Sequence, residues 1–190
     1  MHVRDAKNRE EVWLLDRLEE FGFEDPAFRS RDYVLAVEER TGTKTGFGRL
    51  RVHRAADGEV CELTCIGVLP DWRGQGVGAH VIERLVEEAR DQGFEELFAL
   101  TPAPEYLTQF GFEEIEPDSL PPVLADRFES VAQRHADAAP TRIDVAAFSV
   151  PRRLRNRYRE DGDSEPEPEE RPEDFGIDPE TASYKYDVND

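Results

Sequence analysis

Residues Cys65–Ala79 read CIGVLPDWRGQGVGA, and this stretch indicates the fold class of the chain. An apolar run suited to a β-strand leads into a glycine-rich loop, and the loop continues directly into a helical pattern. Gly74, Gly76 and Gly78 let the backbone approach a ligand without a Cβ in the way. The N–H groups of the loop and of the first helical turn converge at the positive end of the helix dipole, which suits a pyrophosphate. Arg73 adds a charge-assisted contact.

Two other nucleotide-binding patterns compete for the same glycines. GQGVGA fits the G-x-G-x-x-G/A dinucleotide fingerprint, but that fingerprint follows the first strand of its fold at once and precedes an acid after the next strand. Here about sixty residues of other structure come first, and Leu100–Pro102 stands where the acid is expected. A dinucleotide-binding oxidoreductase and a purely structural connector stay open as weaker alternatives. A P-loop is excluded because the chain has no Gly-Lys-Ser/Thr.

The pattern on either side of the loop predicts an α/β domain. Its order of strands and helices, β–α–β–β–β–α–β–α–β followed by a further helix and a last strand, indicates a mixed sheet and not an alternating doubly wound one. The predicted strands are His2–Asp5, Asp32–Glu39, Gly46–Arg54, Val60–Leu69, Glu96–Thr101, Phe112–Ile115 and Arg142–Val150. The predicted helices are Arg9–Glu20, Ala79–Gln92, Pro104–Phe110 and Leu120–Ala136.

Acidic residues dominate the composition. The chain has 43 acidic and 24 basic residues, a formal net charge of −19, which argues against nucleic-acid binding and against an anionic membrane surface. No apolar run approaches the roughly 18 residues of a membrane span, and no signal peptide is evident, so we expect a cytoplasmic protein. Residues 160–190 hold 13 acids against Arg171 and Lys185. This composition predicts a disordered acidic tail after a catalytic domain over 1–159.

The basic residues are biased towards arginine. Only Lys7, Lys44 and Lys185 are lysines, a composition that resembles proteins of halophilic organisms with molar salt in their cytosol. At 1 M salt the Debye length is about 3 Å, so the net charge does not exclude an anionic ligand. Cys61 and Cys65 lie four residues apart on one predicted strand, roughly 13 Å. That separation is too long for a disulfide or a shared metal ion, so we expect two core thiols and no metal.

Arg73-x-x-Gly76-x-Gly78, after a strand that ends Val68-x-Pro70, resembles the acetyl-CoA signature of the GCN5-related N-acetyltransferase (GNAT) family. Phe94–Thr101 and Tyr106–Phe112 are similar to that family's fifth strand and the helix ending in Gly-Phe. Within the family, the chain is most similar to the N-acetylglutamate synthase (amino-acid acetyltransferase) branch. The resemblance implies a mixed, mostly antiparallel central sheet flanked by helices, with acetyl-CoA as the acetyl donor.

The resemblance also implies where acetyl-CoA binds. In this family the fourth strand splays from the fifth, and the pantetheine arm lies between them. Backbone groups of the fourth strand pair with the arm, the glycine loop holds the pyrophosphate, and the N–H of Val68 points at the thioester oxygen. The donor-binding residues implied are Ile66, Gly67, Val68, Arg73, Gly74, Gln75, Gly76, Val77, Gly78 and Ala79.

Two residues are candidates for proton transfer. An ammonium group is not a nucleophile, so the reaction needs a base. Strand alternation puts Glu62, Thr64, Ile66 and Val68 on one face, which makes Glu62 the candidate base, acting over about 20 Å through water or a bulge. A sheet-surface acid paired with Arg49 or Arg51 is the alternative. Tyr106 is the candidate acid for the departing thiolate, although the family usually has tyrosine one residue later, at the position of Leu107.

The resulting expectation is direct transfer of an acetyl group from acetyl-CoA to a primary amine. A small amino acid is the leading acceptor, and its carboxylate would be held by one of Arg29, Arg31, Arg49, Arg51 and Arg127. A protein N-terminus or lysine is the second acceptor class. A non-catalytic acyl-CoA sensor is the alternative outside enzymes. A homodimer is compatible with this interpretation.

Overall fold

A seven-stranded sheet forms the centre of the protein. The computed structural model describes residues 1–56 and 58–159. The strands are β1 His2–Asp5, β2 Tyr33–Val37, β3 Lys44–Ala55, β4 Gly58–Val68, β5 Glu96–Thr101, β6 Glu113–Glu114 and β7 Ala139–Asp144. They lie in the order β1-β2-β3-β4-β5-β7-β6, and every neighbouring pair is antiparallel except β4 and β5. The predicted mixed, mostly antiparallel sheet is confirmed.

Helices cover both faces of the sheet, as predicted. On β2, Leu35 packs with α1 whereas Val34 and Ala36 belong to the cluster around α2. On β5, Phe98 packs with α4 whereas Leu97 and Ala99 face α2. Because alternate strand residues point to opposite faces, α1 and α4 cover one face and α2 the other. The helices are α1 Glu11–Phe21, α2 Val77–Asp91, α3 Pro104–Thr108, α4 Pro122–Arg134 and α5 Arg152–Arg159.

The helix after the glycine loop lies unusually close to the sheet. A Cβ on Gly48 of β3 would stand 2.6 Å from Val81 Cγ1 and 2.9 Å from Leu85 Cδ1. Only glycine leaves room for this approach. The contact fixes α2 against β3 and sets its first turn beside the end of β4.

The end of the domain differs from the prediction. The predicted strand Arg142–Val150 is wrong at both ends, because β7 starts at Ala139 and ends at Asp144. The Asp144 carboxylate accepts a hydrogen bond from the Ala146 N–H and turns the chain into a 3-10 turn over Val145–Ala147. The sequence prediction also lacks α5. The predicted acidic tail, 160–190, lies outside the described residues, and the domain limit at residue 159 stays a prediction.

Two further expectations concern the cysteines and membrane spans. Cys61 and Cys65 are both buried free thiols, which confirms them as core residues. Across residues 1–56 and 58–159, no helix combines the length and the apolar character that a membrane span requires.

Candidate active site

Strands β4 and β5 separate towards their carboxyl ends. They pair only at Glu62–Phe98 and Leu63–Ala99, although β4 runs on to Val68 and β5 to Thr101. β3 stays paired with β4 as far as Val68. The opening therefore lies on the β5 side of β4, directly before the glycine loop.

A bulge in β4 lies at the point of separation. Between the pairs Arg49–Thr64 and Phe47–Gly67, β4 has one more residue than β3, and Cys65 adopts a φ of +51°. The extra residue reverses the alternation that follows it. Thr64 therefore faces α4, whereas Ile66 and Val68 pack with the α2 cluster. The prediction that Glu62, Thr64, Ile66 and Val68 share one face is wrong beyond Thr64.

The backbone of β4 presents polar groups to the opening. Leu69 N donates to Thr45 O on β3 at 2.9 Å. Because successive N–H groups of a strand point to opposite edges, the N–H of Val68 points away from β3 and into the opening. The Val68 carbonyl accepts a hydrogen bond from Arg73 Nε at 3.3 Å.

The glycine loop forms one wall of a groove of about 600 Å³. Gly74 and Gly76 have φ values of +77° and +83°, which only glycine adopts readily. α2 starts at Val77 with no side-chain cap. Ala79 N donates to the Gly76 carbonyl at 3.1 Å, and the N–H groups of Val77 and Gly78 before it have no acceptor within the helix. Of the predicted donor-binding residues, Val68, Arg73, Gly74, Gly76 and Gly78 line this groove.

The remaining predicted donor-binding residues are not in the lining of this groove. Ile66 lines the neighbouring cavity described below. The Val77 and Ala79 side chains are buried in the α2 cluster. Gln75 is exposed and donates to the Asp71 carbonyl. Gly67 lies against Phe47, whose ring would stand 2.4 Å from a Cβ there, so its side-chain position faces α1 and not the groove.

A second cavity of about 420 Å³ lies between the diverging strands. Thr64, Cys65 and Ile66 of β4 contribute one wall, and Phe21–Glu24 after α1 contribute another. Arg127 and Arg134 bring two guanidinium groups from α4. This cavity is the candidate acceptor cavity.

Tyr106 joins the groove to the acceptor cavity. Its side chain is 39% exposed and lines both, together with Val68 and Gly78. Leu107, at the position where the family usually has tyrosine, is buried. Burial raises the pKa of Tyr106, and the positive charge of Arg153 lowers it in part. The phenol therefore stays protonated at neutral pH and is able to donate a proton.

Glu62 is a buried, paired carboxylate. Its side chain is 1% exposed, and both oxygens accept hydrogen bonds from Arg127 Nε at 2.7 Å. His53 Nε2 lies 2.7 Å from Oε2. The alternative that Glu62 is a surface acid paired with Arg49 or Arg51 is wrong in both respects. Arg49 instead pairs with Asp25 and Asp32.

Among the five arginines predicted to hold a substrate carboxylate, Arg127 lines the acceptor cavity. Arg127 Nη2 also donates to Thr64 Oγ1 at 2.8 Å, so the guanidinium is fixed from two sides. Two further arginines at the site were not predicted from the sequence: Arg134, which pairs with Glu24 at the same cavity, and Arg153, which lines the groove. The run Arg152–Arg155 (RRLR) was the available signal for Arg153. In the described part of the chain, no group of three or more His, Cys, Asp or Glu side chains is arranged to hold a metal ion.

The sequence profile of the acetyltransferase (GNAT) family matches residues 2–112. The chain belongs to this family. The match covers the opening between β4 and β5, the glycine loop and Tyr106, and it ends before α4 and α5.

Curated relatives are about a third identical to this GNAT chain over the aligned stretches. An amino-acid acetyltransferase of Pseudomonas fluorescens is 32% identical over 136 residues, which are 66% of this chain and 31% of that protein. An amino-acid acetyltransferase of Mycobacterium tuberculosis is 32% identical over 105 residues, 55% of this chain and 57% of that protein. The chain thus spans about a third of the first relative and little more than half of the second.

Solved structures share the fold of this GNAT domain. The N-acetylglutamate synthase of Neisseria gonorrhoeae, complexed with coenzyme A and N-acetyl-glutamate, matches with a TM-score of 0.60 and 21% identity, over 75% of this chain and 34% of that one. Rv2747 of Mycobacterium tuberculosis, in complex with CoA, matches with a TM-score of 0.63 and 19% identity, over 76% of this chain and 99% of that one.

Proposed function

We propose that the protein is an N-acetyltransferase that moves an acetyl group from acetyl-CoA to the primary amine of a small amino acid. The observation that carries the proposal is the junction at Tyr106. There a groove that starts at an uncapped helix meets a cavity that contains an arginine, beside the free edge of β4. Membership of the GNAT family supports the same reaction class.

The groove residues fit the donor. The positive φ values of Gly74 and Gly76 and the uncapped start of α2 form a cradle of N–H groups that suits a diphosphate, and Arg73 adds a positive charge. In this proposal the pantetheine arm lies in the opening between β4 and β5. The donor supplies a thioester whose carbonyl carbon accepts the nucleophile.

The proposed chemical step is direct acetyl transfer. The amine nitrogen forms a bond to the thioester carbonyl carbon, and the carbon–sulfur bond breaks. The Val68 N–H stabilises the negative charge that develops on the carbonyl oxygen. Tyr106 gives its proton to the departing thiolate. The nitrogen, which is positively charged after the attack, releases its second proton to solvent as the amide forms, and Tyr106 regains a proton from solvent. The products are an N-acetyl amino acid and CoA.

The attacking amine must first lose a proton. Glu62 is the proposed acceptor, and it acts through a water molecule because Thr64 and Arg127 separate it from the acceptor cavity. His53, bound to Glu62 Oε2, then carries the proton towards solvent.

Arg127 is proposed to hold the carboxylate of the acceptor. A guanidinium has five N–H donors, and Glu62 and Thr64 occupy Nε and one position of Nη2. The remaining donors suit a bidentate contact with a carboxylate. The curated relatives are amino-acid acetyltransferases, which supports this acceptor class.

The test is thiol release from acetyl-CoA in molar KCl with amino acids, polyamines and peptides as acceptors. Release with one or a few small amino acids, and identification of their N-acetyl products by mass spectrometry, is the expected result. Release with peptides alone would replace the amino acid by a protein acceptor. Binding of CoA without release for any amine would contradict an enzyme and favour a sensor.

A further inference from the structure

We propose that Arg153 on α5 binds the diphosphate of CoA in the groove at the start of α2. This inference rests on the proposed function. It concerns a helix beyond residues 2–112, the part of the chain that matches the family profile.

Arg153 lies in the lining of the donor groove. The groove is lined by Arg73, Gly74 and Gly76 of the glycine loop and by Arg153 and Leu154 of α5. Leu154 is buried in the α2 cluster, so it anchors α5 against the domain. Its N–H donates to the Pro151 carbonyl at 2.9 Å, which fixes the first turn of the helix. Arg153 therefore extends from a helix that is packed against the domain.

Gln109 orients the Arg153 guanidinium. Gln109 Oε1 accepts a hydrogen bond from Arg153 Nη2 at 2.5 Å. Gln109 Nε2 donates to the Tyr106 carbonyl at 2.6 Å, which fixes the amide. Gln109 thus links Arg153 to Tyr106, the residue that lies between the groove and the acceptor cavity.

The guanidinium of Arg153 also supplies positive charge to the groove. Its hydrogen bond within the described structure goes to a neutral amide, and that of Arg73 goes to a carbonyl. The two arginines of the acceptor cavity, Arg127 and Arg134, instead pair with carboxylates. Glu105 is the acid in the groove lining. Two guanidinium groups in the lining of one groove match a ligand with two negative charges, and CoA carries such a group in its diphosphate.

The position of Arg153 favours the diphosphate over the 3′-phosphate of CoA. Arg153 shares the groove with Gly74 and Gly76, which form the proposed diphosphate cradle. Removal of the 3′-phosphate from CoA should therefore leave the contribution of Arg153 to the binding affinity unchanged.

The test is titration calorimetry of the full chain with CoA and with dephospho-CoA, which lacks the 3′-phosphate. We expect Arg153→Gln to lower the affinity for both ligands by the same factor, about 10- to 100-fold. This is the usual effect of losing hydrogen bonds to a charged group. Arg153→Lys should recover part of the loss because it keeps the charge without the planar fork. Arg152→Gln is the matched control, since it removes the same charge from an exposed neighbour outside the groove lining. It should change either affinity by less than about twofold.

Each other outcome has one meaning. Equal CoA affinity for wild type and Arg153→Gln would overturn the inference and leave the proposed function intact. A loss confined to CoA, with dephospho-CoA binding unchanged, would also overturn it, because Arg153 would then act on the 3′-phosphate. A wild-type protein that binds neither ligand would contradict the proposed function itself.

Discussion

A Cβ atom on Gly78 would lie 2.8 Å from the hydroxyl oxygen of Tyr106. Gly78 is the second residue of α2, and the same Cβ would lie 3.4 Å from Val68 Cγ2. The missing side chain lets the phenol stand between the start of α2 and the end of β4. That is the position where the proposed mechanism needs a proton donor.

Gly78→Ala is predicted to lower activity without lowering stability. Alanine is favoured over glycine in a helix by about 1 kcal/mol, so the free energy of unfolding should stay equal or rise. The new methyl group displaces the Tyr106 hydroxyl, so kcat should fall by about tenfold or more, in the range of lost acid–base catalysis. Urea unfolding and steady-state kinetics measure the two effects.

Tyr106→Phe is the control for this prediction. Phenylalanine lacks the hydroxyl, so it should lower kcat by a similar factor and leave CoA affinity unchanged. In the Tyr106→Phe background, Gly78→Ala should have little further effect, because the clashing atom is gone. Fully additive losses in the double variant would show that Gly78 acts on something other than Tyr106.

Gly76→Val is predicted to abolish CoA binding. A residue other than glycine is strained at a φ of +83°, so the substitution should distort the loop that forms the proposed diphosphate site. Gly42→Val is the matched control, because Gly42 has a φ of +69° in the turn before β3 and open space around its Cβ position. Both variants should lose stability to a similar extent, and only Gly76→Val should lose CoA in calorimetry. Unchanged CoA affinity in Gly76→Val would contradict the assignment of the loop.

Local patterns were enough to predict most of the fold. β1 and β5 have the predicted bounds, because each is a short run between clear turn signals. The last strand was predicted with wrong bounds, and α5 was not predicted. The end of β7 depends on a hydrogen bond from the Ala146 backbone N–H to the Asp144 carboxylate, and the position of α5 depends on the burial of Leu154. Neither is visible in the hydrophobic periodicity of the sequence.

The parts of the candidate site that belong to a sequence motif could be predicted. The parts whose position depends on tertiary packing could not. The glycine loop and Tyr106 were located from their sequence context. The bulge at Cys65 was not, since a single extra residue leaves no signature in an apolar strand, yet it reverses the faces of Ile66 and Val68. The partners of Glu62 come from β3 and from α4, 65 residues later in the case of Arg127. No local pattern predicts such a contact.

Arg127→Lys is predicted to raise KM for the amino-acid acceptor by about 10- to 100-fold, because lysine loses bidentate contacts to the carboxylate. The CoA affinity should stay unchanged. Arg134→Lys, on the same helix and at the same cavity but paired with the exposed Glu24, is the control and should have a small effect. A fall in kcat at constant KM would place Arg127 in the chemical step instead of acceptor binding.

Glu62→Gln is predicted to lower kcat by about 100-fold near neutral pH, the scale of general-base catalysis. The amide still accepts a hydrogen bond from Arg127, so CoA affinity should be retained. The deficit should shrink at alkaline pH, where the acceptor amine is already free of its extra proton. A deficit of equal size across the pH profile would show that Glu62 only positions Arg127.

Glu10 is predicted to make stability depend on pH in the acid range. Burial alone would raise the pKa of Glu10, but the Arg4 guanidinium and the Lys7 backbone N–H lower it from 4.5 to about 2. The pKa of Glu10 is depressed in the folded state. The ionised carboxylate therefore contributes about 3 kcal/mol to the free energy of unfolding above pH 4.5, and this contribution is lost as the pH falls towards 2.

Urea unfolding of wild type and Glu10→Gln at several pH values measures this contribution. The wild type should be more stable by about 3 kcal/mol at pH 7, and the two proteins should converge near pH 2, where the carboxylate becomes protonated. Glu11→Gln is the matched control, since Glu11 is the exposed neighbour. It should change the free energy of unfolding by less than about 0.5 kcal/mol at any pH. A difference between wild type and Glu10→Gln that does not vary with pH would mean that Glu10 stabilises the fold by packing and not by its charge.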